Sequence, residues 1–344
     1  MPITERQAED AIEAEHAREP FTGVVSIATA DEVLVRRAFG MADRANPRPN
    51  TVGTRFGIAS GTKIMTAVAA LSLVDAGRLA LDARLADVVD APLPHHDPSI
   101  TIAHLLSHTA GNPDYFDEET QDDYAALWAE RPTHTMRRPA DFLPMFADLP
   151  QKFPPGERFA YSNAGFILLG LAIEAASGEA YADYVGEHVL GPAGMTDTGF
   201  FALDDLPPRV ALGYLDATSN RTNAFSVPVV GGADGGMFTT AEDLERFWRA
   251  LVGRRLLTPE TTATMLATHA TTGDGQPGEH YGYGVWIGGT DDAPRYVIVG
   301  EDPGASMVSW IEPATGLVLT VLGNTDSAAW PMHRALRAAV GAAA

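Results

Sequence analysis

The sequence lacks cysteine entirely, and this absence excludes disulfide bonds, thiol chemistry and a zinc site with Cys ligands. It also lacks an apolar run of about 18 residues, so no transmembrane helix is expected. Residues 1–10 show no basic region followed by an apolar stretch, so no secretory signal is visible and a cytoplasmic location is expected.

Positive charge is scarce, because 24 Lys and Arg residues face 45 Asp and Glu residues and the net charge is −21. This excess of negative charge argues against nucleic acid or an anionic membrane surface as a partner. A hydrophobic fraction of 45% and a charged fraction of 20% are typical of a globular protein. The length of 344 residues is sufficient for one large domain or two small ones.

Lysine is the scarcest basic residue, since Lys63 and Lys152 stand against 22 arginines. Lys63 follows Ser60 by three positions. Arginine keeps its proton in proteins, whereas a desolvated lysine can lose its proton near neutral pH and act as a base for a serine nucleophile. The alternative is that Lys63 is an ordinary solvated residue, since a Ser-x-x-Lys arises by chance in roughly 7% of such sequences.

The residues after Ser60 strengthen the catalytic hypothesis. Residues 62–73 form an apolar run of helical length without Pro or Gly, which predicts a buried helix. Ser60 then lies at the start of this helix, and Lys63 lies one turn further on the same face. The free N–H groups and the positive dipole end at a helix N-terminus favour a developing oxyanion and a lowered lysine pKa.

The order of predicted elements indicates an α+β fold. One antiparallel sheet is expected from both chain ends, flanked by helices, with a mostly helical insertion between them. The expected strands are residues 22–29, 33–39, 281–287, 295–299, 306–311 and 317–322, and the expected terminal helices are residues 4–18 and 330–342. We expect a single domain over residues 1–344, with an α/β part at about 1–62 and 235–344 and a helical part at about 63–234.

A second candidate site segment follows the turn Pro154-Pro155-Gly156. There Tyr161-Ser162-Asn163 precedes an apolar helix that begins near Phe166, so a phenol and an amide could face a cleft at a loop-to-helix junction. The alternative is a capping Asn with a packing Tyr.

Six segments in a fixed order carry a resemblance to a known family. They are Ser60-Gly-Thr-Lys63, residues 105–111 (LLSHTAG), residues 155–163 (PGERFAYSN) followed by Leu168-Leu-Gly, residues 191–198, residues 235–244, and Tyr281-Gly-Tyr-Gly284. With these segments the chain resembles the serine β-lactamase and penicillin-binding-protein superfamily, on the side of the class C β-lactamases, β-lactamase-like esterases and D-aminopeptidases. The resemblance covers nearly the whole chain and implies a single β-lactamase/transpeptidase-like domain.

The resemblance also implies an acyl-enzyme mechanism. Ser60 would attack a carbonyl, and Lys63 and Tyr161 would share the general-base and general-acid roles, with coupled protonation states. Asn163 would bind the substrate carbonyl or orient Lys63. The Ser60 backbone N–H and one from the strand near residues 304–306 would form the oxyanion hole. On this basis Gly304 and Ala305 are candidate substrate-binding residues, and no metal or organic cofactor is required.

The family's third motif, usually Lys-Thr-Gly or a His- or Trp-containing equivalent, is altered here. Residues 299–306 read VGEDPGAS, and Glu301 stands where Lys or His is usual. The usual cation recognises a substrate carboxylate, which Glu301 and Asp302 would repel. We therefore expect poor turnover of penicillins and cephalosporins, and Glu301 becomes a candidate contact to a neutral substrate or to an ammonium group. The alternative is that both acids are turn residues facing water.

Other prominent residues favour structural roles. His95-His96-Asp97 lies between prolines without a partner pair at ligand spacing, which indicates a surface loop. The resemblance suggests a structural role for His108. The acidic residues of segment 114–123 predict a solvated loop, although this segment could border the cleft. Tyr115, Phe116, Tyr124 and Trp128 could form an apolar wall there or pack in the core.

These observations lead to one principal functional hypothesis and several alternatives. The principal one is a serine hydrolase that cleaves a small ester or amide through an acyl-Ser60 intermediate. The alternatives are a D-amino-acid amidase or aminopeptidase, an acyltransferase of the same fold, a β-lactamase, and a non-enzymatic scaffold. The expected partner is a small-molecule substrate, and the oligomeric state stays open.

Overall fold

The computed structural model describes residues 3–129, 131–273, 275–290 and 292–341. Its main feature is an eight-stranded sheet in the order β2-β1-β12-β11-β10-β9-β8-β7, in which all neighbouring strands are antiparallel. These strands are β1 Gly23–Ala28, β2 Val33–Phe39, β7 Ala270–Thr271, β8 His280–Tyr281, β9 Trp286–Thr290, β10 Ala293–Asp302, β11 Ala305–Glu312 and β12 Leu317–Gly323. Two small pairs join β3 Met41–Asp43 to β4 Arg48–Pro49 and β5 Phe56–Gly57 to β6 Phe238–Thr239.

Ten α-helices are described around this sheet. They are α1 Glu5–Arg18, α2 Lys63–Asp75, α3 Leu85–Val88, α4 Ile102–Leu106, α5 Asn163–Ser177, α6 Tyr181–Val185, α7 Gly191–Ala193, α8 Ala241–Val252, α9 Pro259–Leu266 and α10 Ala329–Ala339. None of these helices is by itself long and apolar enough to span a membrane. The segments Asn163–Ser177 and Tyr181–Ala193 have sufficient length and apolar character only when they are taken together, and the chain bends by 81° between them.

Both faces of the sheet are buried, which explains the continuous apolar composition of its central strands. In β12, Val318 and Leu322 point into a large apolar cluster that includes residues of α2, α5 and α8. Leu319 and Val321 point the other way, into a smaller cluster with α1 and α10. Because side chains alternate between the two faces of a strand, β12 contributes to both apolar clusters. The predicted α+β architecture is confirmed.

One predicted strand is wrong in detail. Residues 281–287 form a tight hairpin between β8 and β9, in which the N–H of Gly282 donates to the carbonyl of Val285 at 2.9 Å. Gly284 adopts a φ of +73°, and a Cβ there would lie 2.5 Å from the Cβ of Ala67 in α2. A residue other than glycine would therefore be strained in the turn and would also collide with the buried helix.

The chain ends and the helical insertion are arranged around the same sheet. The described strands of the large sheet lie before residue 40 and after residue 269, and α2 to α7 come from the sequence between them. The larger apolar cluster runs through both parts, with members from Val24 to Leu322. The predicted boundaries between an α/β part at about 1–62 and 235–344 and a helical part at about 63–234 therefore stay a prediction.

Candidate active site

Ser60 lies in a short 3-10 helix, Ala59–Thr62, that leads directly into α2. Ala59 has a φ of +45°, a left-handed conformation that is uncommon for a residue with a side chain. Hydrogen bonds to the segment around β6 hold this turn: the N–H of Ile58 donates to Met237 at 2.9 Å, and the N–H of Gly236 donates to Ala59 at 3.2 Å. Ser60 is thereby presented at the walls of two cavities.

The amine of Lys63 is the centre of the site. Its Nζ lies 3.0 Å from Oγ of Ser60, and it donates to Oδ1 of Asn163 at 2.8 Å and to the backbone carbonyl of Asp234 at 2.6 Å. A neutral amine has two N–H groups and one lone pair. Because the two other partners are obligate acceptors here, the lone pair of a neutral Lys63 would face the Ser60 hydroxyl.

The environment also prepares Lys63 for the role of a base. Its side chain is buried, and this desolvation lowers its pKa from the ordinary value of 10.5, while the charges of Asp234 and Glu118 act in the opposite direction. The net direction favours the neutral amine, which can accept a proton from Ser60.

Tyr161 lines the same cleft as Ser60. The ring of Tyr161 has its centroid 4.8 Å from Nζ of Lys63. It stacks on the ring of Trp286 with 6.1 Å between centroids and packs against the ring of His108 with 4.4 Å between centroids. Burial raises the pKa of Tyr161 well above 10, although the neighbouring Ser60 side chain acts in the opposite direction. The phenol therefore retains its proton near neutral pH and can donate it.

The start of α5 places Asn163 in the site. The Oγ of Ser162 caps the helix by accepting from the N–H of Gly165 at 3.0 Å. The carboxylate of Asp114 accepts from the N–H groups of Asn163 at 2.5 Å and Ala164 at 3.2 Å. Two acceptors at one helix N-terminus thus fix the first residue of α5.

The expectation of a solvated acidic loop is wrong for Asp114, because only 7% of this residue is exposed. Its burial raises the pKa of the carboxyl group from 3.8 to about 7. Glu118, Asp122 and Asp123 are exposed as expected, whereas Asp117 and Glu119 are paired with cations that are distant in sequence. Lys152 contacts Asp117 at 2.8 Å, and both Lys152 and Arg158 contact Glu119.

His108 contacts the segment Tyr161-Ser162-Asn163 through both its ring and its Nδ1. Its Nδ1 accepts from the backbone N–H of Ser162 at 3.1 Å, and its ring packs against Tyr161, Phe166 and Tyr281. Burial, together with the charge of Lys63, lowers the pKa of His108 well below 6.5, so its imidazole is neutral. This position suits a residue that orients Tyr161 and Asn163.

The structure places Glu301 and Asp302 on two different sides of Ser60. Glu301 lines the cleft that contains Tyr161 and accepts from the indole N–H of Trp330 at 2.6 Å. Asp302 lines the other cavity, and burial raises its pKa to about 7. Each acid therefore faces a cavity that Ser60 also lines.

The two candidate residues after the turn lie in different surroundings. Ala305 lines a cavity with Ser60. Gly304 forms the β10–β11 turn with a φ of +79°, and a Cβ there would lie 2.8 Å from the backbone of Gly213. The pairing of β10 with β9 ends at Val297, so within the described residues the side of β10 that faces away from β11 is unpaired at 299–301, where it borders the cleft.

Two cavities meet at Ser60. The first is largely apolar, and its wall includes Phe142, Phe201, Leu203, Val227, Val229 and Phe238. The second is an open cleft whose lining includes Glu118, Tyr161, Trp286, Glu301 and Trp330. Lys, Arg and His are absent from the described residues that line either cavity.

Sequence reasoning missed Asp234 and much of the first cavity. Asp234 offers its carbonyl to Lys63, and its carboxylate accepts a hydrogen bond from the hydroxyl of Tyr115. A lone acid within the glycine-rich run 231–236 was the available signal. Of the four aromatic residues left open, Tyr115, Phe116 and Trp128 are buried in the core, and Tyr115 and Tyr124 line the cavity.

Comparisons with known proteins show the family of this chain. A family model described as Beta-lactamase matches residues 8–344. Esterase EstB from Burkholderia gladioli is 31% identical over 92% of this chain and 90% of its own length. Penicillin-binding protein 4* from Bacillus subtilis is 32% identical over 67% of this chain, but the match spans about half, 52%, of that protein.

A solved structure shows the same fold throughout. The crystal structure of a penicillin-binding protein from Bacillus halodurans superposes with a TM-score of 0.90, 43% identity and coverage of 95% of this chain and 99% of that one. The resemblance inferred from the six sequence segments is thus confirmed, and the family indicates a hydrolase. The chain belongs to the beta-lactamase family.

Proposed function

We propose that this protein is a serine hydrolase that cleaves a small neutral ester or amide through an acyl-Ser60 intermediate. One observation carries the proposal: the buried amine of Lys63 lies 3.0 Å from Oγ of Ser60 and has two acceptors, Asn163 and Asp234, for its remaining N–H groups. A lysine that served only structure would not need a serine hydroxyl as its third partner at the wall of a cleft.

The reaction begins when Oγ of Ser60 attacks the substrate carbonyl and its proton passes to the Lys63–Tyr161 pair. The backbone N–H of Ser60 and a second N–H, from the strand near residues 304–306, stabilise the oxyanion, each typically by about 3 kcal/mol. Tyr161, which is protonated near neutral pH, donates a proton to the leaving group, directly or through Lys63. Water then attacks the acyl-Ser60 carbonyl and releases the acid.

The charge around Ser60 supports a neutral substrate. Glu118 and Glu301 line the cleft, and Asp234 and Asp302 line the apolar cavity. A substrate carboxylate next to the scissile bond would be repelled and would find no described cationic side chain on either wall. We therefore propose poor activity on penicillins and cephalosporins and an apolar acyl or leaving group in the first cavity.

The same acids favour one alternative, an amidase or aminopeptidase for D-amino-acid derivatives. A free ammonium group near the scissile bond would be attracted by Glu301 and Glu118. Acyl transfer to an alcohol or amine remains a further variant of the same chemistry and would be revealed by a trapped product. The small-molecule substrate in each case enters by the open cleft.

The deciding experiment is intact-protein mass spectrometry of the wild type and Ser60→Ala. Both proteins are exposed briefly to p-nitrophenyl acetate and butyrate, a penicillin, a cephalosporin and a D-alanyl amide, while product release is followed in parallel. We expect ester turnover or an acyl adduct only when Ser60 is present. Equal turnover by Ser60→Ala would refute the nucleophile, efficient β-lactam hydrolysis would refute the substrate class, and preference for the D-alanyl amide would establish the alternative.

A further inference from the structure

A second groove adjoins the Ser60 cleft and differs from it in charge. We call it the basic groove, and we define it by Arg295 of β10, Trp310 of β11, His333 and Arg337 of α10, and residues 272–273 and 275–279 of the loop between β7 and β8. Gly273, Gln276 and Pro277 of this loop line both the basic groove and the Ser60 cleft. The two sites are therefore contiguous on the surface.

The basic groove concentrates positive charge on a protein with a net charge of −21. Burial, together with the charges of Arg337, Arg295 and Arg334, lowers the pKa of His333 to about 4. Three guanidinium groups thus act on one neutral imidazole. Glu279 is the one carboxylate among the described residues that line the groove. Two arginines, Arg295 and Arg337, against one carboxylate leave the described lining with an excess of positive charge, which attracts anions.

Arg295 is held in place before any ligand binds. Its guanidinium lies 4.6 Å from the ring centroid of Trp310, and its side chain is only 13% exposed. Its single ion pair within the described residues is a 3.4 Å contact to Glu312, and its buried Nε has no hydrogen-bond partner there. An oriented guanidinium with incomplete pairing is suited to a carboxylate or phosphate.

Arg337 of α10 supplies a second cation to the lining of the groove. It lies in the last turn of α10, and the described part of the chain provides it with no ion pair or side-chain hydrogen bond. Space for a ligand is present beside Arg295, because its cross-strand neighbour in β9 is Gly288. Paired residues point to the same face of a sheet, so the absent side chain at Gly288 leaves room.

We propose that the basic groove binds an oxyanion, either a carboxylate or a phosphate, between Arg295 and Arg337. The anion could be a free small anion, or it could be the far end of a substrate whose scissile bond lies at Ser60. The second source rests on the proposed hydrolase function, whereas the binding site itself does not. A substrate carboxylate or phosphate far from the scissile bond would bind in the basic groove, although Glu118 and Glu301 would repel a carboxylate next to Ser60.

The first test is direct titration of the protein with inorganic phosphate and with glutarate at low ionic strength, by isothermal titration calorimetry. Arg337→Glu reverses the charge in the groove, and Arg255→Glu makes the same change at an exposed site between α8 and α9. We expect saturable binding by the wild type and Arg255→Glu, and binding at least about tenfold weaker in Arg337→Glu. Absence of saturable binding in the wild type, or equal binding by Arg337→Glu, would overturn the proposal.

The second test distinguishes the two sources. The value of kcat/KM is measured for p-nitrophenyl butyrate and for the mono-p-nitrophenyl esters of glutaric and suberic acid. If the anion belongs to the substrate, Arg337→Glu lowers the ratio of acidic to neutral ester about tenfold. If the anion is free, the ratio does not change while phosphate or glutarate binding is lost. If no ester is hydrolysed, the proposed function fails, and the titration still decides whether the groove binds anions.

Discussion

Lys63 and Asn163 are 100 positions apart in the sequence, yet Nζ of the lysine donates to Oδ1 of the asparagine at 2.8 Å. Each is the first residue of an apolar helix, α2 or α5. The contact therefore joins the N-termini of two buried helices beside Ser60. Their dipoles add positive potential where a tetrahedral intermediate would carry its negative charge.

Replacement of Lys63 by arginine should abolish most activity although the positive charge is retained. Arginine does not release its proton, so Ser60 would lose its base and kcat/KM should fall by about 10²–10⁴-fold. Lys152→Arg is the matched control, because Lys152 lies in surface ion pairs with Asp117 and Glu119. Ester kinetics of the two variants provide the measurement, and similar rates for both would contradict the role of Lys63.

The acid limb of the pH profile should report the coupled Lys63–Tyr161 pair. In the proposed mechanism the amine of Lys63 acts in its neutral form, so kcat/KM should rise with pH through a pKa that burial places below 10.5. The charge of Asp234 raises the Lys63 pKa. Asp234→Asn should therefore move the limb to lower pH, and a limb that stayed in place would show that Asp234 is uncharged or that another group titrates.

Asp114 should make stability depend on pH. Its pKa is raised from 3.8 to about 7 on folding, so the folded state holds the proton more tightly and stability falls as pH rises between these values. Asp114→Asn removes this dependence. Urea unfolding of both proteins should show the variant gaining about 2 kcal/mol relative to wild type between about pH 5 and about pH 7. A constant difference between them would contradict the raised pKa.

Gly170 in α5 should not tolerate a methyl group. A Cβ at this position would lie 2.6 Å from the Cβ of Ala233, whose neighbour Asp234 contacts Lys63. Gly170→Ala should therefore destabilise the fold by about 1–3 kcal/mol and also slow ester hydrolysis. At Gly186, which is also helical, a Cβ would meet no atom within 4 Å. Thermal unfolding should show Gly186→Ala to be neutral or stabilising.

A cation at position 301 should improve the reaction with penicillins. Glu301 lines the Ser60 cleft, and its carboxylate repels the substrate carboxylate. Glu301→Lys should raise the rate of Ser60 acylation by benzylpenicillin at least about tenfold. Glu260→Lys makes the same charge change on the exposed side of α9 and should have no effect. Equal acylation rates in all three proteins would show that Glu301 does not control this selectivity.

Local sequence features predicted much of the fold. The capping box of Thr4 and Gln7 begins α1 within one residue of the predicted start, and the apolar runs of β11 and β12 lie close to their predicted positions. The single strand expected at 281–287 was wrong, because the segment turns back as a hairpin in which Gly284 packs close to Ala67. That contact joins residues more than 200 positions apart and leaves no pattern within either segment.

The candidate site divides in the same way. Ser60 and Lys63 could be paired from the sequence because three-residue spacing on a helix determines which side chains meet. Tyr161 and Asn163 could be named through the motif that contains them. The burial of Asp114, the Asp234 carbonyl beside Lys63 and the opposite charges of the cleft and the basic groove required the folded chain. Burial and electrostatic interaction depend on distances in space, and the packing of remote segments sets those distances.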